Sequence, residues 1–171
     1  MLELAKLHEE ELKKLAGKVL IDDKYKYFNV GYMNLPEPTM DEWNNLCFVS
    51  YSDRVIGYFN AAVNRTHGII NSLAIWSTAA SLKEYKVFEK DLLEFFIYCL
   101  KRYPVIQWSV VTENPVKKKY RRFIQTINGN IVGTYHKCCK VYNEMLDEEC
   151  YEVISSPEII QKIEKLKERI K

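Results

Sequence analysis

The sequence predicts an α+β fold, a mixed α/β sheet with one crossover near its middle. Three short β-type runs, 47–51, 55–59 (extending towards 63) and 69–76, follow one another with turn residues between them, which predicts an antiparallel meander. A run with a wide apolar face, from Phe88 to about Arg102, predicts a helix, and the apolar run 105–112 predicts a strand behind it. Strand, helix and strand in this order predict a crossover and a locally parallel pair.

Helices are predicted before the meander. Leucines at steps of three to five from Leu4 onwards predict an N-terminal helix that stops at Gly17. Thr39 is positioned to cap a short helix from Met40 to about Leu46, with Glu42 at the capping-box position. The chain therefore starts directly in a helix, and the aromatic-rich run 25–30 is the segment that could supply an additional strand.

Further elements are predicted behind the crossover. Asn114-Pro115 opens a helix to about Ile127, and runs 131–136 and 150–154 predict two strands. Ser156 and Pro157 provide the cap and first-turn proline of a terminal helix with an apolar stripe. We expect one domain over 1–154 and an amphipathic helix over 155–171 that packs on it or forms the contact of a homodimer.

Composition excludes several classes of protein. The chain has 171 residues, 47% of them hydrophobic, which is too apolar for a disordered protein. A net charge of +2 excludes a general polycation for nucleic acid or membrane surfaces. No apolar run reaches the roughly 18 residues that a membrane span needs, and the N-terminus lacks the pattern of a signal peptide. We expect a cytoplasmic protein without a membrane partner.

The five cysteines predict reduced thiols rather than a metal site or a disulfide framework. Their spacings fit no metal-binding pattern, and the adjacent pair Cys138-Cys139 is hard to place in one tetrahedral site. We therefore expect no metal.

Several segments resemble a known family by their order and spacing. Leu73-Ala-Ile-Trp76 on a strand, the strand 105–112, and Glu113-Asn114 followed by Tyr120 resemble the GCN5-related N-acetyltransferases over roughly residues 20–154. The run Tyr27-Phe-Asn-Val-Gly31, with Phe88-Glu-Lys-Asp-Leu92 and Tyr151-Glu-Val-Ile154, is similar to small members encoded by phages and prophages of Gram-positive bacteria.

The resemblance implies acetyl transfer from acetyl-CoA to an amine by direct attack. Tyr120 is then the general acid that protonates the departing thiolate, and backbone groups of Leu73, Ala74 and Ile75 hold the pantetheine arm. A loop and the following helix start hold the pyrophosphate, which implicates Val87 and Phe88. The remaining implied cofactor contacts are an amide and three cations: Asn114, Lys83, Lys86 and Lys117. Asn114 also fits a plain helix-capping role.

One departure from the family argues for a different function. When Leu92-Leu93 is aligned with the family, Glu84, Val87 and Glu89 occupy the positions of its pyrophosphate-binding pattern, and none of them matches. Small residues let a backbone approach phosphate, whereas a Glu at a helix start neutralises the helix dipole from within. The alternative is a binding or regulatory module of the same fold that has lost the cofactor.

A basic cluster supplies a third hypothesis. Five of the six residues in 117–122 are Lys or Arg. The cluster is typical of a solvated helix face, and its sharper interpretations are contact with the 3′-phosphate of CoA or with a nucleic-acid backbone, the latter disfavoured by the low net charge. Neither the acceptor amine nor a general base can be identified from the sequence; Glu113 and His67 are the nearest candidates for the base.

Overall fold

A computed structural model describes residues 1–27, 38–40 and 43–170, and of Leu20 the backbone alone. The described elements run, in chain order, β1 Leu2–Leu4, α1 Glu9–Ile21, β2 Asn45–Tyr51, β3 Val55–Asn64, β4 Ile69–Ser77, α2 Leu82–Leu100, β5 Val105–Val111, α3 Lys117–Ile127, β6 Asn130–Val141, β7 Glu144–Ile154 and α4 Pro157–Glu168. Short 3₁₀ turns at Ala5–His8 and Asp23–Tyr25 flank α1.

One mixed sheet organises the molecule and confirms the predicted fold class. Its seven described strands lie in the order β1-β2-β3-β4-β5-β7-β6. Every neighbouring pair is antiparallel except β4 and β5, which are joined through α2 by the predicted crossover. Ser156 caps α4 as predicted, because its side chain accepts the Ile159 N–H. No helix of the described chain is long and apolar enough to cross a bilayer.

Four predictions about element boundaries were wrong in the first half of the chain, and in the second half β6 and β7 extend beyond the predicted runs 131–136 and 150–154. Residues 2–4 form a strand, since β1 pairs with β2 from Leu2↔Ser50 to Leu4↔Phe48, and the chain does not start in a helix. Gly17 lies inside α1 and does not end it. Asn45 and Leu46 belong to β2 rather than to a short helix, and Glu42 lies outside the described residues. The fourth error concerns α2, which starts at Leu82, six residues before the predicted Phe88.

The segment proposed as an additional strand is only partly described. Tyr25 ends a 3₁₀ turn, and residues 28–30 lie outside the described residues.

Two hydrophobic cores lie on opposite faces of the sheet. The larger packs α2, α3 and α4 against the strands, and its centre is an aromatic stack in which Phe59 lies 5.2 Å from Phe88 and 5.4 Å from Phe95 between ring centroids. In α4, Ile163 is fully buried in this core. The smaller core packs α1 on β2, β3 and β4. Both faces at the β1–β4 end of the sheet are thereby covered.

Candidate functional site

A cleft opens where the two parallel strands separate. β4 and β5 pair only at Ile70↔Ile106, after which β4 continues to Ser77 and β5 to Val111 without further pairing. The cavity at this opening has a volume of about 1410 Å³ and is lined by both strands, α2 and α3. Since β3 holds only one edge of β4, the backbone groups of the other edge face the cleft and are available to a ligand.

Leu73, Ala74 and Ile75 line the cleft on the β4 side. All three are half-buried, and on the far edge of the strand they pair with Ala61, Asn60 and Phe59 of β3. The structure thus brings the predicted pantetheine-contacting segment to the edge of the opening.

Tyr120 lines the opposite wall on α3. Its ring centroid lies 5.7 Å from Trp108 and 6.0 Å from Tyr151, and its hydroxyl has no hydrogen-bond partner in the described part of the chain. Burial raises the pKa of Tyr120 well above its usual value. The phenol is protonated at neutral pH, and its raised pKa makes it a weaker acid than an ordinary tyrosine.

An ion pair between a buried carboxylate and the half-exposed Arg121 fixes α3 to the sheet next to Tyr120. Glu149 of β7 is 3% exposed and accepts hydrogen bonds from Arg121 Nε at 2.8 and 3.0 Å, from Arg121 Nη2 and from the Tyr151 hydroxyl. The bonds from Arg121 hold the pKa of Glu149 below its usual value. Because Arg121 directly follows Tyr120, this network also sets the position of the phenol.

Other residues of the α3 wall have partners within the protein. Asn114 lines the cleft, and its Oδ1 accepts the Val116 N–H at 3.1 Å. This bond lies in the turn before α3, whose capping position is Val116, so the prediction that Asn114 caps the helix was wrong. Lys117 lies outside the cleft lining, and its charge contributes to lowering the pKa of Glu149. Lys119 reaches across to α2, where its ammonium contacts the Tyr85 hydroxyl and lies 4.5 Å from the ring centroid. The basic run 117–122 therefore does not form one continuous phosphate-binding face.

The start of α2 is capped from within the chain. Ser81 Oγ accepts the Glu84 N–H at 3.1 Å, and the Glu84 carboxylate accepts the Ala80 N–H at 2.7 Å. Arg54 of the β2–β3 turn pairs with the same carboxylate at 3.0 Å. These bonds, led by that from Ala80, lower the pKa of Glu84 and keep it ionised. The predicted internal neutralisation of this helix start is thus present.

The early start of α2 also corrects the alignment of the phosphate loop. The loop between β4 and α2 is Thr78–Ser81, so Glu84, Val87 and Glu89 lie inside the helix and not before it. The loop contains only small residues, Thr-Ala-Ala-Ser, which permit a close approach of phosphate to the backbone. The N–H groups of Leu82 and Lys83, in the first turn, have no protein acceptor among the described residues.

Three predicted cofactor residues of α2 do not line the cleft. Lys83, Lys86 and Val87 border a separate shallow depression of about 430 Å³, together with Leu82 and Lys90. Phe88 does line the cleft, but it is 7% exposed and stacks on Phe59 as part of the core. The alignment on Leu92-Leu93 placed the phosphate-binding segment at positions that lie inside α2 and not in the loop before it.

The sequence analysis missed residues on the far side of the cleft. Glu148 of β7 lines it, and its carboxylate accepts a 2.8 Å hydrogen bond from Ser109 of β5. Tyr58 and Asn60 line the same cavity from β3. Strand alternation could have placed Glu148 on the face opposite Tyr151, but only the pairing of β7 with β5 brings it to the cleft. His67 and Glu113 are absent from the cleft lining.

Comparisons with known proteins identify the fold. No family model and no curated protein matches the sequence. Solved structures do match, among them a spermidine N-acetyltransferase from Vibrio cholerae in complex with CoA and spermine, with 15% identity over 93% of this chain and 97% of that one and a TM-score of 0.68. Mycobacterium smegmatis RimJ in complex with CoA-disulfide matches over 96% and 88% at 10% identity and a TM-score of 0.68.

A GCN5-related N-acetyltransferase from Brucella melitensis matches over 97% of this chain and 81% of that one, at 16% identity and a TM-score of 0.66. The chain therefore has the fold of the GCN5-related N-acetyltransferases.

Proposed function

We propose that this protein transfers an acetyl group from acetyl-CoA to an amine, with the cofactor held between β4 and β5. The observation that carries the proposal is the partnerless phenol of Tyr120 in the wall of a cleft that opens between two diverging strands. The relatives in fold include two that are described in complexes with CoA or its disulfide.

The cofactor is held by backbone groups in this proposal. The unpaired edge of β4 along Leu73–Ile75 hydrogen-bonds the pantetheine amides, and the N–H groups of Leu82 and Lys83 face the pyrophosphate. Lys119 and Arg122, which line the cleft from α3, add positive charge. Glu84 opposes the binding of the pyrophosphate, because its carboxylate is negative and already accepts the Ala80 N–H.

The reaction is a direct displacement at the thioester. The amine nitrogen attacks the acetyl carbonyl carbon, the new C–N bond forms, and the C–S bond breaks with both electrons moving to sulfur. The CoA thiolate takes the proton of Tyr120, the acceptor nitrogen loses its proton to solvent, and the Tyr120 phenolate regains a proton from solvent. Holding the amine and the thioester together lowers the entropic part of the activation free energy. Proton donation by Tyr120 lowers it further, because the leaving group then departs as a thiol and not as a thiolate.

Calorimetric titration with acetyl-CoA tests the first half of the proposal. We expect one site with a dissociation constant in the micromolar range and a rise in thermal midpoint on binding. A dissociation constant no lower than millimolar, without a thermal shift, would contradict the proposed enzymatic activity. The alternative, a binding module that has lost the cofactor, would then remain.

A panel of amines tests the second half. Polyamines, a lysine peptide and peptides with free N-termini are each incubated with acetyl-CoA, and release of CoA thiol is compared with the mass of the acceptor. A gain of one acetyl mass on an acceptor, dependent on the protein, is the expected result. Tight cofactor binding without transfer to any amine would contradict catalysis and retain a binding role.

A further inference from the structure

The β6–β7 hairpin carries a cluster of metal-ligating groups that acetyl transfer does not use. The Sγ atoms of Cys138 and Cys139 and a carboxylate oxygen of Glu148 all lie within 4.8 Å of one another. From this geometry we propose that the cluster binds a zinc ion.

An irregular backbone brings the two adjacent thiols together. In a regular strand, neighbouring side chains point to opposite faces. Here the register changes from Tyr135↔Glu148 to Cys139↔Leu146, so that β6 has extra residues opposite Asp147. Lys137 adopts a left-handed conformation, with φ of 48°, and its N–H donates to Asp147 Oδ1 at 2.8 Å. This bulge removes the geometric objection that the adjacency of Cys138 and Cys139 raises in the sequence.

The donor set suits zinc. Two thiolates and a carboxylate oxygen are ligands that Zn²⁺ prefers, and a tetrahedral site with Zn–S bonds near 2.3 Å separates its ligand atoms by about 3.7 Å. The three ligand atoms lie within 4.8 Å of one another, at most about 1 Å beyond that separation. Cys139 is buried and Cys138 is exposed, which leaves an entry route for the ion from solvent. Cys150, opposite Gly133 on the same hairpin, is the nearest additional thiol for the fourth position.

A second layer of contacts holds the ligands in place. Ser109 Oγ donates to Glu148 Oε2 at 2.8 Å, and Cys138 Sγ lies 3.4 Å from the Tyr135 carbonyl oxygen. Partners of this kind orient metal ligands, and their removal typically costs about 10–100-fold in metal affinity. Because Glu148 also lines the cleft, an ion bound here borders the proposed transfer site, although its binding does not depend on acetyl transfer.

The test is a titration of the reduced, chelator-treated full chain with Zn²⁺ against a chromophoric competitor, and with Co²⁺ as a spectroscopic probe. We expect one equivalent of tightly bound metal and, with Co²⁺, a thiolate charge-transfer band. The variant Cys138→Ser/Cys139→Ser removes the band and lowers affinity by more than about 100-fold, and Ser109→Ala lowers it by about 10–100-fold.

Two controls separate the cluster from general thiol and carboxylate binding. Cys99→Ala removes a thiol of α2 that is buried in the core, and Glu144→Gln removes an exposed carboxylate from the same hairpin. Both keep one equivalent of metal at unchanged affinity. Absence of zinc binding, a Co²⁺ spectrum without the thiolate band, or undiminished binding by Cys138→Ser/Cys139→Ser would each overturn the proposal.

Discussion

The two helices that border the cleft begin in opposite ways. At the start of α2, Ser81 and Glu84 satisfy backbone N–H groups, and Arg54 neutralises the carboxylate. At the start of α3, the capping position is Val116, which offers no side-chain hydrogen bond, and the first turn has no acidic residue and begins with three lysines. A carboxylate of the protein counters the dipole at the start of α2, although the Leu82 and Lys83 N–H groups have no acceptor among the described residues, whereas the start of α3 remains positive.

The same contrast extends to the cleft walls behind these helices. On the β4 side, Phe88 fills the space above Gly57 and stacks in the core. On the β5 side, the Tyr120 hydroxyl has no partner among the described residues, and Trp108 Nε1 is buried without one there. Thr78 Oγ1, directly after β4, is also buried without a partner in the described part of the chain. Buried polar groups normally have partners, so unpartnered ones are where a substrate is expected to act. The β4 wall supports the cleft, and the α3 wall holds the side-chain chemistry.

The largest expected effect is on turnover in Tyr120→Phe. Loss of the phenolic proton leaves the CoA thiolate unprotonated as it departs, which lowers kcat by about 10²–10⁴-fold. The affinity for acetyl-CoA stays within about twofold, because the ring remains in place. Steady-state thiol release and calorimetry measure the two quantities.

The matched control for that change is Tyr135→Phe, which removes a hydroxyl from an exposed tyrosine outside the cleft lining. Its kcat is expected to equal that of the parent. Equal turnover in Tyr120→Phe and the parent would show that Tyr120 is not the general acid. It would also contradict the statement that the α3 wall holds the side-chain chemistry.

The next effect concerns the acid sensitivity of the α3 wall. The folded-state pKa of Glu149 is below its ordinary value of 4.5, mainly through its hydrogen bonds from Arg121. This ionised state stabilises the fold above pH 4.5, and the stabilisation is lost as the pH falls through the folded pKa. Glu149→Gln lowers the free energy of unfolding at pH 7 by about 2 kcal/mol and flattens its decline below pH 4.5.

Denaturant unfolding at a series of pH values measures that slope. Glu144→Gln is the control, since its carboxylate is exposed and lies on the same strand. A Glu149→Gln variant whose stability falls with acid as steeply as that of the parent would show that the network does not anchor α3.

Gly57→Ala tests how tightly the core is packed behind the β4 wall of the cleft. A Cβ at residue 57 would lie 2.5 Å from Phe88 Cδ2 and Cε2, atoms of a ring held in the aromatic stack. Such overpacking costs about 1–3 kcal/mol of unfolding free energy. Gly133→Ala is the control, because nothing lies within 4 Å of the Cβ it would add, and its expected change is within about 0.5 kcal/mol. Equal stability of the two variants would contradict tight packing behind β4.

Local patterns predicted most of the fold and failed where partners are distant. The meander, the crossover and the Ser156 cap follow from alternation, helical periodicity and capping residues. The strand β1 has only three residues, Leu-Glu-Leu, whose spacing fits a helix equally well, and only its pairing with β2 makes it a strand. The start of α2 did have a local signal, the capping box Ser81-x-x-Glu84, which the apolar periodicity beyond Phe88 obscured.

The site divides in the same way. Leu73–Ile75 and Tyr120 reach the cleft because the resemblance followed the strand and helix order, which the structure confirms. Lys83 and Lys86 do not, because they are exposed residues of α2 that border the separate depression and not the cleft. Glu148 and the thiol pair depend on the register of β7 with β5 and on the bulge in β6, and neither is visible in a single sequence.

The smallest expected effect is a gain in cofactor affinity in Glu84→Gln. The change removes a negative charge from the helix start that faces the proposed pyrophosphate and keeps a hydrogen-bonding side chain of the same length. We expect acetyl-CoA to bind about two- to fivefold more tightly, with a slightly lower thermal midpoint because Arg54 loses its ion pair. Calorimetry and thermal unfolding measure the two changes.

Ser81→Ala distinguishes charge from loosening of the helix start. It removes the hydroxyl that accepts the Glu84 N–H but keeps the carboxylate, so it lowers stability without raising affinity. If both variants bind acetyl-CoA more tightly, a looser helix start and not the removed charge is responsible. If Glu84→Gln binds it no better than the parent, the phosphates lie away from the start of α2, and the positive start of α3 is then their principal site.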